Sequence, residues 1–190
     1  MRLRLPQRSD FSAWQTVRSA SRGFLTPFEP KWHDYELTRP SFLKRVKVSG
    51  QRADRRSELS LFVFALEEEN DKEKEIFLGG VTLSNIRYGA AYHANIGYWL
   101  GKDQTGKGYM SRAVFLTLSH AFEHLKLRRI HAACLPENER SKNVLIKNGF
   151  KEEGFAPKYL QINGVMRDHV LFGITKDQFA SIKRDSSKSL

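Results

Sequence analysis

Asp103-Gln-Thr-Gly-Lys-Gly-Tyr-Met-Ser-Arg-Ala-Val114 (DQTGKGYMSRAV) decides how the rest of the chain is read. Gly106, Lys107 and Gly108 stand directly before a segment in which Met110, Val114, Leu118, Ala121 and Leu125 recur at helical spacing, with Ala113 and Thr117 beside them. The pattern predicts a helix between Lys107 and Leu125, fed by a glycine-rich turn. Unpaired backbone N–H groups and the positive end of the helix dipole converge at such a junction, which suits an anion, a phosphate first of all.

The first chemistry to weigh is that of a P-loop. Gly101 to Lys107 satisfies the first seven positions of Gly-x-x-x-x-Gly-Lys, but the eighth needs a Ser or Thr hydroxyl for Mg²⁺ and here is Gly108. Several apparently antiparallel strands also precede the loop, where a P-loop follows a first buried parallel strand. An ATPase or GTPase is set aside on both grounds.

Working outward, Leu3 and Leu5 alternate with Arg2 and Arg4 as in an edge strand, and Asp10 is placed to cap a helix carrying Phe11, Trp14 and Val17. A Pro- and aromatic-rich loop is expected over Leu25–Trp32 and a second helix over Ser41–Val48. Leu59–Leu66 and Ile76–Leu83 read as a hairpin across an acidic turn, Glu67–Glu75. Ala91–Leu100 is a third strand, ending at the glycine loop. Downstream come a short strand, Arg129–Leu135, a helix over Asn138–Asn148 stopped by Gly149, and a strand from Phe150. Asn163-Gly164 then marks a hairpin joining Pro157–Ile162 to Val165–Ile174. A short terminal helix follows Ile174. The expected fold class is mixed α/β, of the α+β type, around a largely antiparallel sheet, as one domain over residues 1–184 with a flexible tail over residues 185–190.

Bulk properties narrow the setting. The 190 residues suit one core rather than two, and Leu59–Leu66, the longest mainly apolar run, is too short to span a bilayer. The N-terminus lacks the apolar core of a secretory leader, and the single Cys134 forms no internal disulfide, so a cytoplasmic location is expected. Lys and Arg total 32 against 21 Asp and Glu, a net charge of +11 that favours anionic partners such as polyphosphate cofactors, RNA or ribosomes. Cations are densest over Lys44–Arg56, read as a solvated loop rim. A purely RNA-binding protein would interleave aromatics with those cations, and none follows Phe42 there. No Cys/His cluster has metal-ligand spacing, so no metal is expected.

The second chemistry comes from a resemblance. Thr105-Gly106-Lys107-Gly108-Tyr109-Met110 resembles the Gln/Arg-x-x-Gly-x-Gly/Ala loop of the GNAT acetyltransferases, with Thr105 where Gln or Arg is usual and Met110 where Gly or Ala is usual. Asn138-x-x-Ser141 and Gly149-Phe150 are similar to that superfamily's later helix and strand starts. In order along the chain, Phe28-Glu29-Pro30, Gly97-Tyr98, the glycine loop, Asn138-x-Arg140-Ser141, Gly149 to Gly154 and Arg167 to Leu171 resemble the RimJ type of ribosomal-protein-alanine N-acetyltransferases. The likeness covers nearly the whole chain and is densest from Tyr92 to Thr175.

The resemblance implies a GNAT fold with a splayed strand pair, helices on both sheet faces, and acetyl-CoA as cosubstrate without a metal. It implies cofactor contacts from Tyr98, Trp99, Leu100, Thr105, Gly106, Lys107, Gly108, Tyr109, Met110, Ser111, Asn138 and Ser141. Catalytic roles fall to Ser141, on the departing sulfur, and to Asn138. Glu29 is the first candidate for the general base, with Asp168 and His169 as others, while Glu153 reads equally as structural. Phe28 and Trp32 are candidates for the peptide mouth. Cys134 and His131 read as packed strand residues. The implied substrate is a ribosomal protein N-terminus, the N-terminal alanine of the fifth small-subunit protein first, with electrostatic association to ribosome or RNA, no membrane, and a monomer or homodimer as assembly. A small-molecule amine acetyltransferase is the alternative, although +11 repels polyamines and aminoglycosides.

Overall fold

The computed structural model describes the backbone of residues 1–69 and 72–188. Seven strands form one sheet in the order β1-β2-β3-β4-β5-β7-β6. They are β1 Arg2–Arg4, β2 Leu59–Glu69, β3 Lys72–Arg87, β4 His93–Leu100, β5 Arg129–Cys134, β6 Lys151–Ile162 and β7 Val165–Thr175. The helices are α1 Phe11–Ala20, α2 Arg22–Leu25, α3 Arg39–Asp54, α4 Tyr109–Glu123, α5 Glu139–Lys147 and α6 Lys176–Lys188. Every strand pair is antiparallel except β4–β5, which is parallel.

Period-two alternation in the strands feeds two cores. In β2, Val63 and Ala65 join the larger core with α4, whereas Phe62 and Phe64 join an aromatic cluster with Trp14 of α1, Phe42 of α3 and Phe77 of β3. Rings there lie close, with centroids 4.9 Å apart for Trp14–Phe42 and 4.8 Å for Phe62–Phe77. On the opposite face α4 buries Met110, Ala113, Val114, Thr117, Leu118, Ala121 and Phe122 along one stripe. Phe179 of α6 packs on Phe115 and Phe122. The sheet is therefore covered by helices on both faces.

Several local expectations change. Asp10 precedes α1, but its carboxylate accepts from the Gln7 N–H and from both terminal nitrogens of Arg4, so it secures the preceding 3-10 turn and not α1. The Leu25–Trp32 loop is partly helical, with α2 ending at Leu25 and a 3-10 turn over Thr26–Phe28. α3 is longer than expected because Pro40 sits in its first turn, preset for a helix, and burial of Phe42, with Leu43 and Val46 packed on the same cluster, carries it past Gly50. The basic run Lys44–Arg56 is thus mostly a helix face rather than a loop. The acidic stretch Glu67–Glu75 is largely strand, since Glu67 stands opposite Lys74 across the β2–β3 pair. Residues 70 and 71, at the centre of the expected turn, lie outside the described residues. α6 extends through Lys188 into the expected tail, of which Ser189 and Leu190 lie outside the described residues.

One feature of the sheet positions the site. β4 and β5 pair only over His93–Asn95 and Arg129–His131. Beyond Asn95, β4 continues to Leu100 against β3 alone, and β5 continues to Cys134 against β7 alone. The two strands splay, leaving facing backbone edges open between them.

Candidate active site

At the mouth of the splay lies the glycine loop. A 3-10 turn over Lys102–Gln104 is followed by Gly106 at φ +80° and Gly108 at φ +79°, left-handed conformations that favour glycine, and α4 starts at Tyr109. The N–H groups of Gly106 through Ser111 have no acceptor among the described residues. They form a run of donors at a helix N-terminus, the arrangement that holds phosphate oxygens. Thr105 contributes neither its N–H nor its hydroxyl, since both donate to the Lys102 carbonyl, at 3.3 and 2.9 Å, whereas Met110, buried in the core, contributes its backbone alone. Lys107 and Tyr109 lie within the run, and the Lys107 ammonium donates to Gln104 Oε1 at 3.4 Å. Ser111 accepts a hydrogen bond from the buried Asn148 carboxamide at 3.1 Å, which ties the end of α5 to the start of α4.

Deeper in the gap, β4 sends its side chains in opposite directions. Tyr98 points to the larger core and reaches the start of α5, its hydroxyl 3.0 Å from both the carbonyl oxygen and Oγ of Ser141. Burial pushes the Tyr98 phenol well above its ordinary pKa, outweighing the opposing bond from Ser141, so it stays protonated at neutral pH. Asn138 caps α5, its Oδ1 accepting the Ser141 N–H at 3.1 Å. That bond fixes where Ser141 stands and leaves Asn138 a positioning contact. Cys134, near the end of β5, is buried, and burial lifts its thiol to about 11. A thiol held protonated in this way is a poor acyl carrier.

Trp99 faces the other side and lies flush on β3. A Cβ at Gly79 would stand 2.3 Å from the Trp99 carbonyl oxygen, and one at Gly80 2.9 Å from its indole nitrogen, so both positions need glycine for this approach. Leu100 is buried beside the loop.

The carboxylate candidates for a general base are all engaged. Both Glu29 oxygens accept from the Arg18 guanidinium at 2.8 Å, and Oε2 also accepts the Trp32 indole N–H at 2.8 Å. Asp168 accepts the Lys158 N–H at the β6 irregularity. His169 is buried with Nδ1 3.0 Å from the Arg167 carbonyl. Glu153 pairs with Arg129 above Gly173. His131 packs edge-on against His93, away from the Tyr98–Ser141 pair, and burial, Arg129 and His93 lower its pKa.

Next to the α5 cap is a cavity of about 360 Å³ lined by Pro27, Phe28, Glu137, Ile162, Asn163, Val165 and Arg167. Phe28 faces it at 38% exposure, whereas Trp32 is buried in contact with Arg18. Glu137 pairs with Arg167 across its rim. Glu137 and Arg18 were not legible as site residues. The only signal for Arg18 was a charge four residues after Trp14, on the buried stripe of α1.

A family model described as an acetyltransferase (GNAT) domain matches residues 1–151. A probable N-acetyltransferase, YjcK, of Bacillus subtilis is 36% identical over 158 residues, which is 83% of this chain and 84% of that protein. The ribosomal protein uS5-alanine N-acetyltransferase of Escherichia coli is 31% identical over 168 residues, 87% of this chain and 84% of that one. Among solved structures, Mycobacterium smegmatis RimJ in complex with CoA-disulfide superposes with a TM-score of 0.81 at 30% identity, covering 96% of this chain and 88% of that chain.

Proposed function

The chain belongs to the GNAT family of acetyltransferases, and from that premise we propose that it moves the acetyl group of acetyl-CoA to the N-terminal α-amine of a protein, the alanine terminus of the fifth small-subunit ribosomal protein first. The observation that carries the acceptor class is that the Glu29, Asp168 and Glu153 carboxylates are all engaged elsewhere and that His169 is buried. An α-amine of pKa ~7.7–8.0 is roughly one-tenth neutral at pH 7, whereas a lysine at ~10.4 is neutral in only about one molecule in 2,500. A site without a poised base suits the first. The uS5-alanine enzyme of Escherichia coli supports the ribosomal acceptor.

In this reading the N–H run from Gly106 to Ser111 holds the pyrophosphate, and the open edge of Tyr98–Leu100 pairs with the pantetheine amides. A backbone N–H at the end of β4 stabilises the developing oxyanion. The neutral amine attacks the thioester carbon, the C–S bond breaks, and the amine's proton leaves to water. The Ser141 hydroxyl, held by Tyr98, donates to the sulfur as it departs. A thiol with a pKa near ~8.5 needs little more help. The cavity beside Glu137 receives the first residues of the acceptor.

The test is an acetylation assay with three acceptors: an alanine-starting peptide of that ribosomal protein, the same peptide with a blocked N-terminus and free lysines, and a polyamine. The free N-terminus is expected to be preferred. Preference for the polyamine or the blocked peptide would remove the acceptor assignment and leave the family untouched.

A further inference from the structure

An arginine side chain only 7% exposed must be compensated, because an unpaired buried charge costs several kcal/mol. Arg18 is compensated from three sides. Its two terminal nitrogens fork onto the Glu29 carboxylate at 2.8 Å each. Its guanidinium carbon lies 4.1 Å from the Trp32 ring centroid and 4.6 Å from that of Trp99, so the cation is in contact with two indoles. Its Nε is buried without a partner, which leaves the group held by the fork and the rings alone.

The partners come from two different parts of the site. Trp99 is on β4 at the splay, seated on Gly79 and Gly80. Glu29 and Trp32 follow the turn that carries Pro27 and Phe28, one wall of the acceptor cavity. The Glu29 carbonyl accepts the Asn163 N–H at 2.8 Å from the tip of the β6–β7 hairpin, the opposite wall. One wall and β4 therefore meet at the guanidinium, and the opposite wall is tied to it through the Glu29 backbone.

We infer that Arg18 is the positioning residue of the acceptor side, holding the Thr26–Trp32 segment and the Asn163 turn in register with β4, and that Glu29 is its counter-ion rather than the general base. This rests on the acetyltransferase reading and on the cavity beside Glu137 as the acceptor's entry. Arg18 acts on where the amine is presented, so its loss falls on acceptor binding. The loop meets this part of the chain through Ser21, whose Oγ accepts the Lys102 N–H at 3.0 Å, and not through Arg18 itself. Lysine at 18 keeps the charge but cannot fork, and glutamine at 29 keeps the shape but turns an N–H toward the guanidinium.

The experiment compares wild type, Arg18→Lys, Arg18→Met and Glu29→Gln in three readouts: steady-state kinetics with the alanine-starting peptide across pH, acetyl-CoA binding by calorimetry, and hydrogen exchange of the Asn163 amide. The expected result for Arg18→Lys and Glu29→Gln is an acceptor KM raised ten-fold or more, kcat within about three-fold, acetyl-CoA Kd within two-fold, an unaltered pH profile and faster Asn163 exchange. Arg18→Met is expected to exceed Arg18→Lys in KM; if it does not fold, the other two variants decide. A Glu29→Gln enzyme with unchanged KM, kcat down a hundred-fold and its acidic limb lost would make Glu29 the base and overturn the inference. Unchanged KM and unchanged Asn163 exchange would overturn it equally. A wild type inactive on the alanine peptide removes the acceptor assignment alone, because Asn163 exchange needs no acceptor and still decides the role of Arg18.

Discussion

Ser141 and Tyr98 share one hydrogen-bonded unit, and its protons set what each can do. The Tyr98 hydroxyl has one proton and two acceptors at 3.0 Å, the Ser141 carbonyl and Oγ. When it donates to the carbonyl, the Ser141 hydroxyl is left to turn toward the gap. In the proposed reaction Tyr98, kept neutral by burial, would be an aiming group, and Ser141 the group that would meet the sulfur. Its bond to sulfur strengthens as charge develops, so Ser141→Ala is expected to lower kcat by ten-fold or more with the acetyl-CoA KM changed less than three-fold. Tyr98→Phe is expected to show the same pattern more weakly. Stopped-time assays at saturating peptide check it. A change confined to KM would make Ser141 a binding residue only.

The elements that build the site differ in how openly the sequence declares them. Gly106 and Gly108 sit in left-handed backbone just before α4, and a β-branched side chain there strains the turn that presents the donor run. Gly108→Val is expected to weaken acetyl-CoA binding ten-fold or more, about 1.4 kcal/mol, as read by calorimetry; unchanged affinity would place the phosphates elsewhere. Between β4 and β5, His131 has its pKa lowered by burial first, then by Arg129 and His93; on α4, His120 is lowered by burial and then by His124. A lowered folded pKa means that the unfolded chain binds more protons below about 6.5, so this contribution is complete above that pH and fades as pH falls through the folded pKa. Tm is expected to drop from pH 7.5 to 5.5, and His131→Gln to flatten part of that drop in calorimetric scans. The loop, α4, the α5 start and the Asn163-Gly164 hairpin were legible because their signals are local: glycines at a turn, helical spacing, a cap. The extent of α3 was not, since Gly50 argues against continuing past Val48 a helix that burial of Phe42 on the aromatic cluster sustains. Nor was the Arg18 contact legible, because its partners lie in a loop and on β4, and only the folded sheet brings them together.

At the scale of the molecule the question is where the surplus of +11 resides. Much of it is on α3 and the turn after it. Arg45 and Arg52 are neutralised by Glu36 and Glu58, but Lys44, Lys47, Arg55 and Arg56 have no acidic partner among the described residues. Lys44, Lys47 and Arg55 fall on one exposed stripe about 16 Å long at 1.5 Å per residue, opposite the side that packs Phe42 on the aromatic core. The helix carries no aromatic besides the buried Phe42, so the stripe suits phosphate backbone rather than splayed bases. Such a surface would concentrate the enzyme on ribosomes, near newly made ribosomal proteins, without entering the chemistry. Binding to purified small subunits is expected to weaken linearly with the logarithm of salt concentration. Replacing Lys44, Lys47 and Arg55 together by Glu is expected to lower that slope by about two to three, at roughly 0.7–0.9 per phosphate contact. Acetylation of a free alanine-starting peptide by the same triple variant is expected to match wild type. A wild-type slope in the variant would remove α3 from the contact, and loss of activity on the free peptide would show that the helix serves the active site after all.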